Sequence, residues 1–353
     1  MADVYVIGVA CTAFGKKPDT SFKDLTRQAY LEVLADAGLD SGERIEQGWF
    51  GNCGMGTFGQ RNIRGQVCFT PLVREQLFPQ HVPIINVEGG CATASMALHG
   101  AYKDILSGEA DMSLAIGVEK TFVPGDPGKT LEIFEGGIDQ LDPHEWMDYY
   151  CQAGEASGIP FAPNAGGGTL FMDTYAMQAA YHMNTFGTTR GQIAFAASKN
   201  HAMGARNPKA QYRFELTPAE VLADRAISWP LTRAMCAPVG DGAAAALLCS
   251  AAALREMPAA VRERALRVLA CVLSGGKYRR LDEPGLSQVA ARRAYAKAGL
   301  QPTDIDLAEV HDATSFGEIY QAEMLGFCQI GSGGAFVGSG ATTLGGVIPI
   351  NLS

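Results

Sequence analysis

The sequence is short of positive charge. Its 28 Lys and Arg residues stand against 37 Asp and Glu residues, which gives a formal net charge of −9 at pH 7. Proteins that bind nucleic acid usually present a basic surface. Basic residues here come at most two in a row, as in Arg292–Arg293. We therefore expect no nucleic-acid partner.

Long apolar runs are also missing. No stretch of 18 apolar residues occurs, and the segment from Met1 to Val6 lacks the basic start and apolar centre of a secretory signal. The sequence predicts neither a membrane span nor a leader. We expect a soluble, cytoplasmic protein.

Grouped cysteines are absent as well. The nine cysteines form no C-x-x-C pair and show no matching histidine spacing, whereas zinc sites and disulfide scaffolds cluster their cysteines. We expect no metal site and no bound cofactor. Most of these cysteines should be small buried hydrophobic residues in a reducing compartment.

Apolar residues and glycine are abundant. The chain is 47% hydrophobic and 18% charged, which excludes intrinsic disorder. Its 353 residues suffice for two or three domains or for one duplicated architecture. The 42 glycines exceed ordinary usage and indicate many tight turns or close backbone approaches.

Short apolar runs alternate with helical patterns in the first part of the chain. The predicted order is strand Val4–Val9, helix Phe22–Ala37, strand Ile84–Val87, helix Cys91–Leu106 and strand Met112–Val118. This alternation is typical of an α/β domain whose sheet is covered on both faces.

The chain also contains an internal repeat. The segment Ala29–Leu39 resembles Ala290–Leu300, displaced by 261 positions, and the predicted strand Leu266–Leu273 resembles Val4–Val9. Such self-similarity favours a duplicated α/β unit. We predict a first half over 1–123, an inserted loop domain over 124–229, a return to the first half over 230–255 and a second half over 256–353.

Cys91 is the best candidate nucleophile. It follows a predicted strand and Gly89–Gly90 and lies at the first turn of a predicted helix, where the positive end of the helix dipole favours a thiolate. The N–H groups of the two glycines are expected to hold a developing oxyanion. The alternative is a buried structural cysteine.

His311 is the second candidate. It ends the predicted strand Leu307–Val310, and catalytic groups of α/β sheets gather beyond the carboxyl ends of strands. A histidine with satisfied hydrogen bonds and no catalytic role is the alternative. His182 lies in a helical stripe, which indicates packing. Gly54–Gly59 matches G-x-G-x-x-G, but Gly65 interrupts the segment that would have to be helical, so a Gly-rich loop is favoured over a dinucleotide site.

The segment Asn86–Ala97 resembles the nucleophile segment of the thiolases, in particular of their sterol-carrier-protein-type branch. Further segments resemble this family in order along the whole chain, namely 117–120, 199–201, 207–210, 241–245, 311–313 and 345–353.

The resemblance implies the thiolase fold, with two duplicated βαβαβαββ halves packed as a layered α/β/α/β/α core and an inserted loop domain. It implies a homodimer or tetramer and a CoA-dependent acyltransferase of lipid metabolism, an acetyl-CoA acetyltransferase or 3-ketoacyl-CoA thiolase. Cys91 would carry the acyl group of an acyl-CoA substrate, and His311 would help hold the thioester oxygen. A covalent thioester divides acyl transfer into two easier steps.

The sequence also departs from the family pattern. Thiolases with full activity carry Gly-His-Pro and Cys-x-Gly segments that the printed sequence does not contain, and Ala313 stands where one version of the His311 motif has cysteine. We expect the second half to lack its last segment. Two alternatives stay open: a thiolase-like retro-aldolase acting on a branched acyl-CoA with a small partner protein, and a non-catalytic CoA-binding subunit.

Overall fold

The computed structural model describes residues 3–161, 163, 169–276, 280–283 and 285–353. The chain divides into two compact units. Unit 1 comprises Met1–Ile133 and Val239–Leu273, and unit 2 comprises Phe134–Pro238 and Ser274–Ser353. The four-segment division made from the sequence stays a prediction.

The strands are β1 (Val4–Cys11), β2 (Gln47–Gly51), β3 (Ile84–Val87), β4 (Met112–Lys120), β5 (Ala226–Ser228), β6 (Leu231–Thr232), β7 (Asp241–Ser250) and β8 (Leu266–Arg267). The helices are α1 (Phe22–Asp36), α2 (Arg64–Arg74), α3 (Thr93–Ser107), α4 (Pro127–Glu135), α5 (Pro143–Ala156), α6 (Leu170–Phe186), α7 (Arg190–Arg206), α8 (Pro218–Ala223), α9 (Ala251–Arg255), α10 (Ala259–Arg264), α11 (Leu286–Ala298), α12 (Phe316–Met324) and α13 (Gly333–Gly338).

Unit 1 is built on a mixed sheet. Its described strands lie in the order β3-β2-β4-β7-β1-β8. β2 runs parallel to both β3 and β4, while β7 is antiparallel to β4 and β1. The carboxyl ends of β2, β3 and β4 therefore lie at the same edge of the sheet.

Helices cover both faces of this sheet, as the sequence predicts. The buried face of α1, with Leu25, Ala29 and Val33, belongs to the core on one side. Ala97 and Ile105 of α3 belong to the core on the other side. Because both faces of the sheet are covered, the strands carry apolar side chains on both faces.

Unit 2 is mainly helical. Its core joins α6, α7, α8, α12 and α13 through residues such as Ala179, Ile193 and Ile319. β5 and β6 form a small antiparallel sheet. His182 is buried among these helices, with Nδ1 2.8 Å from Thr188 Oγ1 and Nε2 2.9 Å from Glu323 Oε1. Both ring nitrogens have partners, which agrees with the packing role predicted for it.

Two predicted strands of the second half are much shorter than expected. The strand predicted over Leu266–Leu273 is limited to β8, because its partner β1 begins at Val4 and Val268 N–H already donates to the Val4 carbonyl at 2.8 Å. The strand predicted over Leu307–Val310 is reduced to a bridge between Ala308 and Ile350.

The strand predicted over 307–310 is short because of the conformation of the segment that lies opposite it. Val310 N–H donates to the Asn351 side chain at 2.7 Å instead of to a backbone carbonyl. Asn351 itself has a positive φ of 52°, which takes its backbone out of the extended region. The ladder therefore ends after one bridge.

Among the described helices, none is long and apolar enough to cross a bilayer.

Candidate functional site

Cys91 lies in a single 3-10 turn, Gly90–Ala92, between β3 and α3. The sequence predicts an α-helix from Cys91, whereas α3 begins two residues later, at Thr93. The Cys91 side chain is exposed. Gly90 has a φ of +58°, a left-handed conformation that favours glycine. A side chain at Gly89 would overlap the Met96 sulfur. The two glycines thus allow the tight turn that presents Cys91.

The N–H groups of Gly89 and Gly90 are already paired. Gly89 N–H donates to Thr93 Oγ1 at 2.9 Å, and Gly90 N–H donates to Glu88 Oε1 at 2.8 Å. The oxyanion donors predicted at these two glycines are therefore not free, and that expectation was wrong. The local side chains Glu88 and Thr93, which sequence reasoning left aside, satisfy them first.

The pKa of the Cys91 thiol lies above its ordinary value. Partial desolvation of the sulfur by the surrounding protein raises the pKa, and a hydrogen bond from the residue's own backbone N–H offsets this only in part. The sequence predicts a thiolate at the helix terminus, whereas the pKa is shifted in the opposite direction, because desolvation disfavours the charged form. Cys91 is a protonated thiol at neutral pH and needs a base before it can attack.

A second thiol lies beside the Cys91 turn. Cys53 follows β2, the strand next to β3, and its Sγ is 2.9 Å from Thr93 Oγ1 and 3.3 Å from the Gly90 carbonyl oxygen. Glu88 Oε1 is 3.7 Å from the same sulfur. Burial raises the pKa of the Cys53 thiol. Sequence reasoning missed this residue, although its position after a strand was the available signal.

Glu119 holds the segment that carries Cys53. One carboxylate oxygen accepts from Cys53 N–H at 2.8 Å and from Gly54 N–H at 3.1 Å, and the other accepts from Asn52 Nδ2 at 2.9 Å. Lys120 N–H also donates to it, at 3.2 Å. Burial raises the pKa of Glu119, while these donors lower it.

Gly54–Gly59 does not form a dinucleotide loop. Its first five residues, Gly54–Phe58, form a 3-10 helix after β2, and α2 begins only at Arg64. This agrees with the prediction of a Gly-rich loop.

His311 belongs to unit 2 and has an exposed side chain. Desolvation lowers its pKa, so the imidazole is neutral at pH 7. Its ring lies 6.5 Å from that of Tyr175. A neutral imidazole offers one N–H donor and one acceptor, which suits a group that contacts an uncharged carbonyl.

The residue after His311 is tied to a buried polar network. Asn200 Nδ2 donates to Asp312 Oδ2 at 2.9 Å. Burial, together with the nearby Glu318 charge, raises the pKa of Asp312 to about 6. The fully buried Glu318 pairs with Lys199 at 2.9 Å, and Lys199 also donates to the Ile350 carbonyl.

This network joins three segments that the resemblance had marked separately, namely 199–201, 311–313 and 345–353. Thr342 adds a hydrogen bond to Glu318 at 2.7 Å. Within the part of the chain that the structure describes, no group of three or more His, Cys, Asp or Glu side chains is placed to hold a metal ion.

The chain matches two family models. "Thiolase, N-terminal domain" matches residues 4–123, and "Thiolase C-terminal domain-like" matches residues 285–353. An acetyl-CoA acetyltransferase of Methanothermobacter thermautotrophicus is 33% identical over 358 residues, which cover 100% of this chain and 85% of the relative. The benzoylsuccinyl-CoA thiolase subunit BbsB of Thauera aromatica is 28% identical, with coverage of 97% and 80%.

Bovine sterol carrier protein 2 is 34% identical over 99% of this chain, which spans 61% of that relative. Among solved structures, an Ltp2-ChsH2(DUF35) aldolase superposes with a TM-score of 0.73 at 21% identity, covering 99% of this chain and 84% of the other. The Acat5 thiolase of Ascaris suum in complex with coenzyme A gives 0.64 at 19% identity, with coverage of 92% and 84%.

Fold and site together define an α/β protein that presents a cysteine at a glycine turn between a strand and a helix. The chain belongs to the thiolase family and has the thiolase fold.

Proposed function

We propose that this protein is a CoA-dependent thiolase-type acyltransferase that works through an acyl-Cys91 intermediate. The observation that carries the proposal is the exposed Cys91 in the Gly90–Ala92 turn at the end of β3, in a chain of the thiolase family. Acetyl-CoA or a longer acyl-CoA is the substrate, as the names of the relatives suggest.

In the first half-reaction the Cys91 sulfur, after losing its proton, attacks the carbonyl carbon of the acyl-CoA thioester. A C–S bond to Cys91 forms, the C–S bond to CoA breaks, and the CoA thiolate leaves and takes up a proton. In the second half-reaction another nucleophile, the enolate of a second thioester or a CoA thiolate, takes the acyl group and releases Cys91.

His311 is proposed to donate a hydrogen bond to a thioester oxygen, a role that the resemblance assigns to it. The lowered pKa of His311 supports this role, because a neutral imidazole carries an N–H donor without the desolvation cost of a charge. The raised pKa of Cys91 predicts that acylation speeds up as the pH rises above 7, since the reactive thiolate fraction grows.

The experiment that tests the proposal is mass spectrometry of the acylated protein. Trypsin releases Cys91 in the peptide 75–103, which contains no other cysteine, and Cys53 in the peptide 45–61. We expect acetyl-CoA to add one acetyl group to peptide 75–103 and none to peptide 45–61. Cys91→Ser should abolish the adduct. An unmodified peptide 75–103 after turnover conditions would contradict the proposal.

A second candidate function is carbon–carbon bond cleavage by a thiolase-like lyase. Ala313, in place of the cysteine found in one version of the family motif, favours it. A Cys91→Ser variant with unchanged cleavage of a branched acyl-CoA would favour the lyase. Acyl-CoA binding with no turnover by the wild-type protein would instead favour a non-catalytic subunit.

We further propose a cytoplasmic homodimer or tetramer, as the resemblance implies. A small partner protein is part of the proposal because one relative is named a thiolase subunit. Sedimentation of the purified protein, alone and with proteins co-purified from its source, tests the assembly.

A further inference from the structure

The Cys91 turn is held by a side chain of its own helix α3 and by a side chain that follows the neighbouring strand β2. Thr93 Oγ1 accepts from Gly89 N–H at 2.9 Å and donates to the Gly90 carbonyl at 2.7 Å, so it closes the turn around Cys91. Cys53 Sγ lies 2.9 Å from Thr93 Oγ1, in a hydrogen bond that either group can donate, and 3.3 Å from the Gly90 carbonyl oxygen.

The segment that carries Cys53 is in turn fixed by the partly buried Glu119 carboxyl group. Glu119 accepts from the backbone N–H groups of Cys53 and Gly54 and from the Asn52 amide, while Asn52 Nδ2 also donates to the Val118 carbonyl at 2.8 Å. Among the described residues, no salt bridge to Glu119 is present. Its two oxygens instead accept hydrogen bonds from neighbouring N–H groups.

We propose that Glu119, Cys53 and Thr93 are positioning residues that set the orientation of Cys91 for acyl transfer. Glu119 fixes the Asn52–Gly54 segment after β2, Cys53 transmits that position to Thr93, and Thr93 fixes the N–H group of Gly89 and the carbonyl group of Gly90. The nucleophile is therefore oriented from the neighbouring strand as well as by its own helix. This inference rests on the proposed role of Cys91.

The proposal predicts that substitutions in these residues slow acylation of Cys91 without slowing its alkylation. Acylation by acyl-CoA needs a defined approach of the sulfur to a carbonyl carbon, whereas alkylation by iodoacetamide needs only an accessible thiolate. A small misplacement of a reacting group can cost up to about 100-fold in rate. For Glu119→Gln and Thr93→Val we expect acylation of peptide 75–103 to slow by about tenfold or more, with an alkylation rate close to that of the wild type.

Matched variants separate positioning from a general loss of structure. Thr93→Ser keeps the hydroxyl and should restore the wild-type acylation rate. Glu46→Gln changes a carboxylate of the same unit that accepts from Asp111 and Met112 N–H at the opposite end of β4, and it should leave acylation unchanged. A parallel loss of both reactivities in Glu119→Gln, or acylation at the wild-type rate, would overturn the proposal.

Cys53 supplies a readout that does not depend on the proposed function. Its thiol is half-buried and hydrogen-bonded, so release of the Asn52–Gly54 segment should expose it. Iodoacetamide should label peptide 45–61 several-fold faster in Glu119→Gln and Thr93→Val than in the wild type or Thr93→Ser. If the wild-type protein forms no acyl-Cys91, the proposed function fails, and the labelling of Cys53 still decides whether these residues hold the turn: unchanged labelling would refute the relay.

Discussion

The buried pair Lys120–Asp241 offers the sharpest stability test. Asp241 is fully buried, and its Oδ2 accepts from Lys17 N–H at 2.8 Å and lies 3.4 Å from Lys120 Nζ. Its Oδ1 accepts from Thr121 N–H at 2.9 Å and Phe122 N–H at 3.0 Å. Asp241 thus joins the end of β4 to the start of β7.

The change to test is Asp241→Asn, which keeps the shape and removes the charge. Lys120 stays buried, with a side chain only 7% exposed, and its remaining partners are the carbonyls of Lys17 and Thr20. Leaving one member of a buried pair uncompensated costs about 3–5 kcal/mol. With a urea dependence of about 2 kcal/mol per molar, this corresponds to a midpoint lower by about 2 M.

The assay is urea unfolding followed by Trp fluorescence. Of the three tryptophans, Trp49 lies in unit 1 and Trp146 and Trp229 lie in unit 2, so a background with Trp146→Phe and Trp229→Phe reports unit 1 alone. The control is Glu256→Ala, which breaks the pair with Arg44 in which Glu256 is 72% exposed. Exposed pairs contribute at most about 1 kcal/mol. A midpoint for Asp241→Asn as close to the wild type as that of Glu256→Ala would refute the reasoning.

Three further outcomes are expected. Because the folded pKa of Asp312 is raised to about 6, ionisation of Asp312 destabilises the fold as the pH rises from about 4 through 6. The unfolding midpoint of Asp312→Asn should therefore increase relative to that of the wild type between pH 4 and pH 7. A difference between the two midpoints that stays constant with pH would contradict this. Gly89→Ala should slow acylation of Cys91, since the new methyl group overlaps the Met96 sulfur. The double variant Gly89→Ala/Met96→Ala should regain the wild-type acylation rate, and a rate that stays low would disprove this explanation. Gly100→Ala should destabilise unit 1 by about 1–3 kcal/mol in thermal unfolding, because its Cβ would overlap the Trp49 ring, despite the better helix propensity of alanine. The control is Gly191→Ala in α7, where the nearest atom to the new Cβ is Thr189 Oγ1 at 3.6 Å. This variant should not be destabilised.

The α/β elements of unit 1 were predictable from local pattern. α1 was predicted over Phe22–Ala37 and observed over Phe22–Asp36, and β3 was predicted with its observed bounds. Each has an apolar periodicity, and α1 also has a Ser21–Asp24 capping box at its start. The strands predicted near 266 and 307 failed because strand length depends on the backbone of the partner, which no local pattern reports.

The site was predictable only in part. Cys91 was identified because a strand, two glycines and a helix follow one another in the chain. The pairing of the glycine N–H groups was misjudged because it depends on the side chains of Glu88 and Thr93, and the direction of the pKa shift was misjudged because it depends on desolvation of the sulfur. Cys53 was missed because it lies 37 residues from Gly90 in the sequence.

The sequence by itself determined the alternation of strands and helices and the turn that presents Cys91, because both follow from residue patterns within one segment. Only the tertiary structure decided which side chains surround that turn. The parallel order β3-β2-β4 brings the ends of three separate strands to one edge, and so places Cys53 and Glu119 near Cys91. Contacts between distant segments depend on strand order, which local periodicity does not specify.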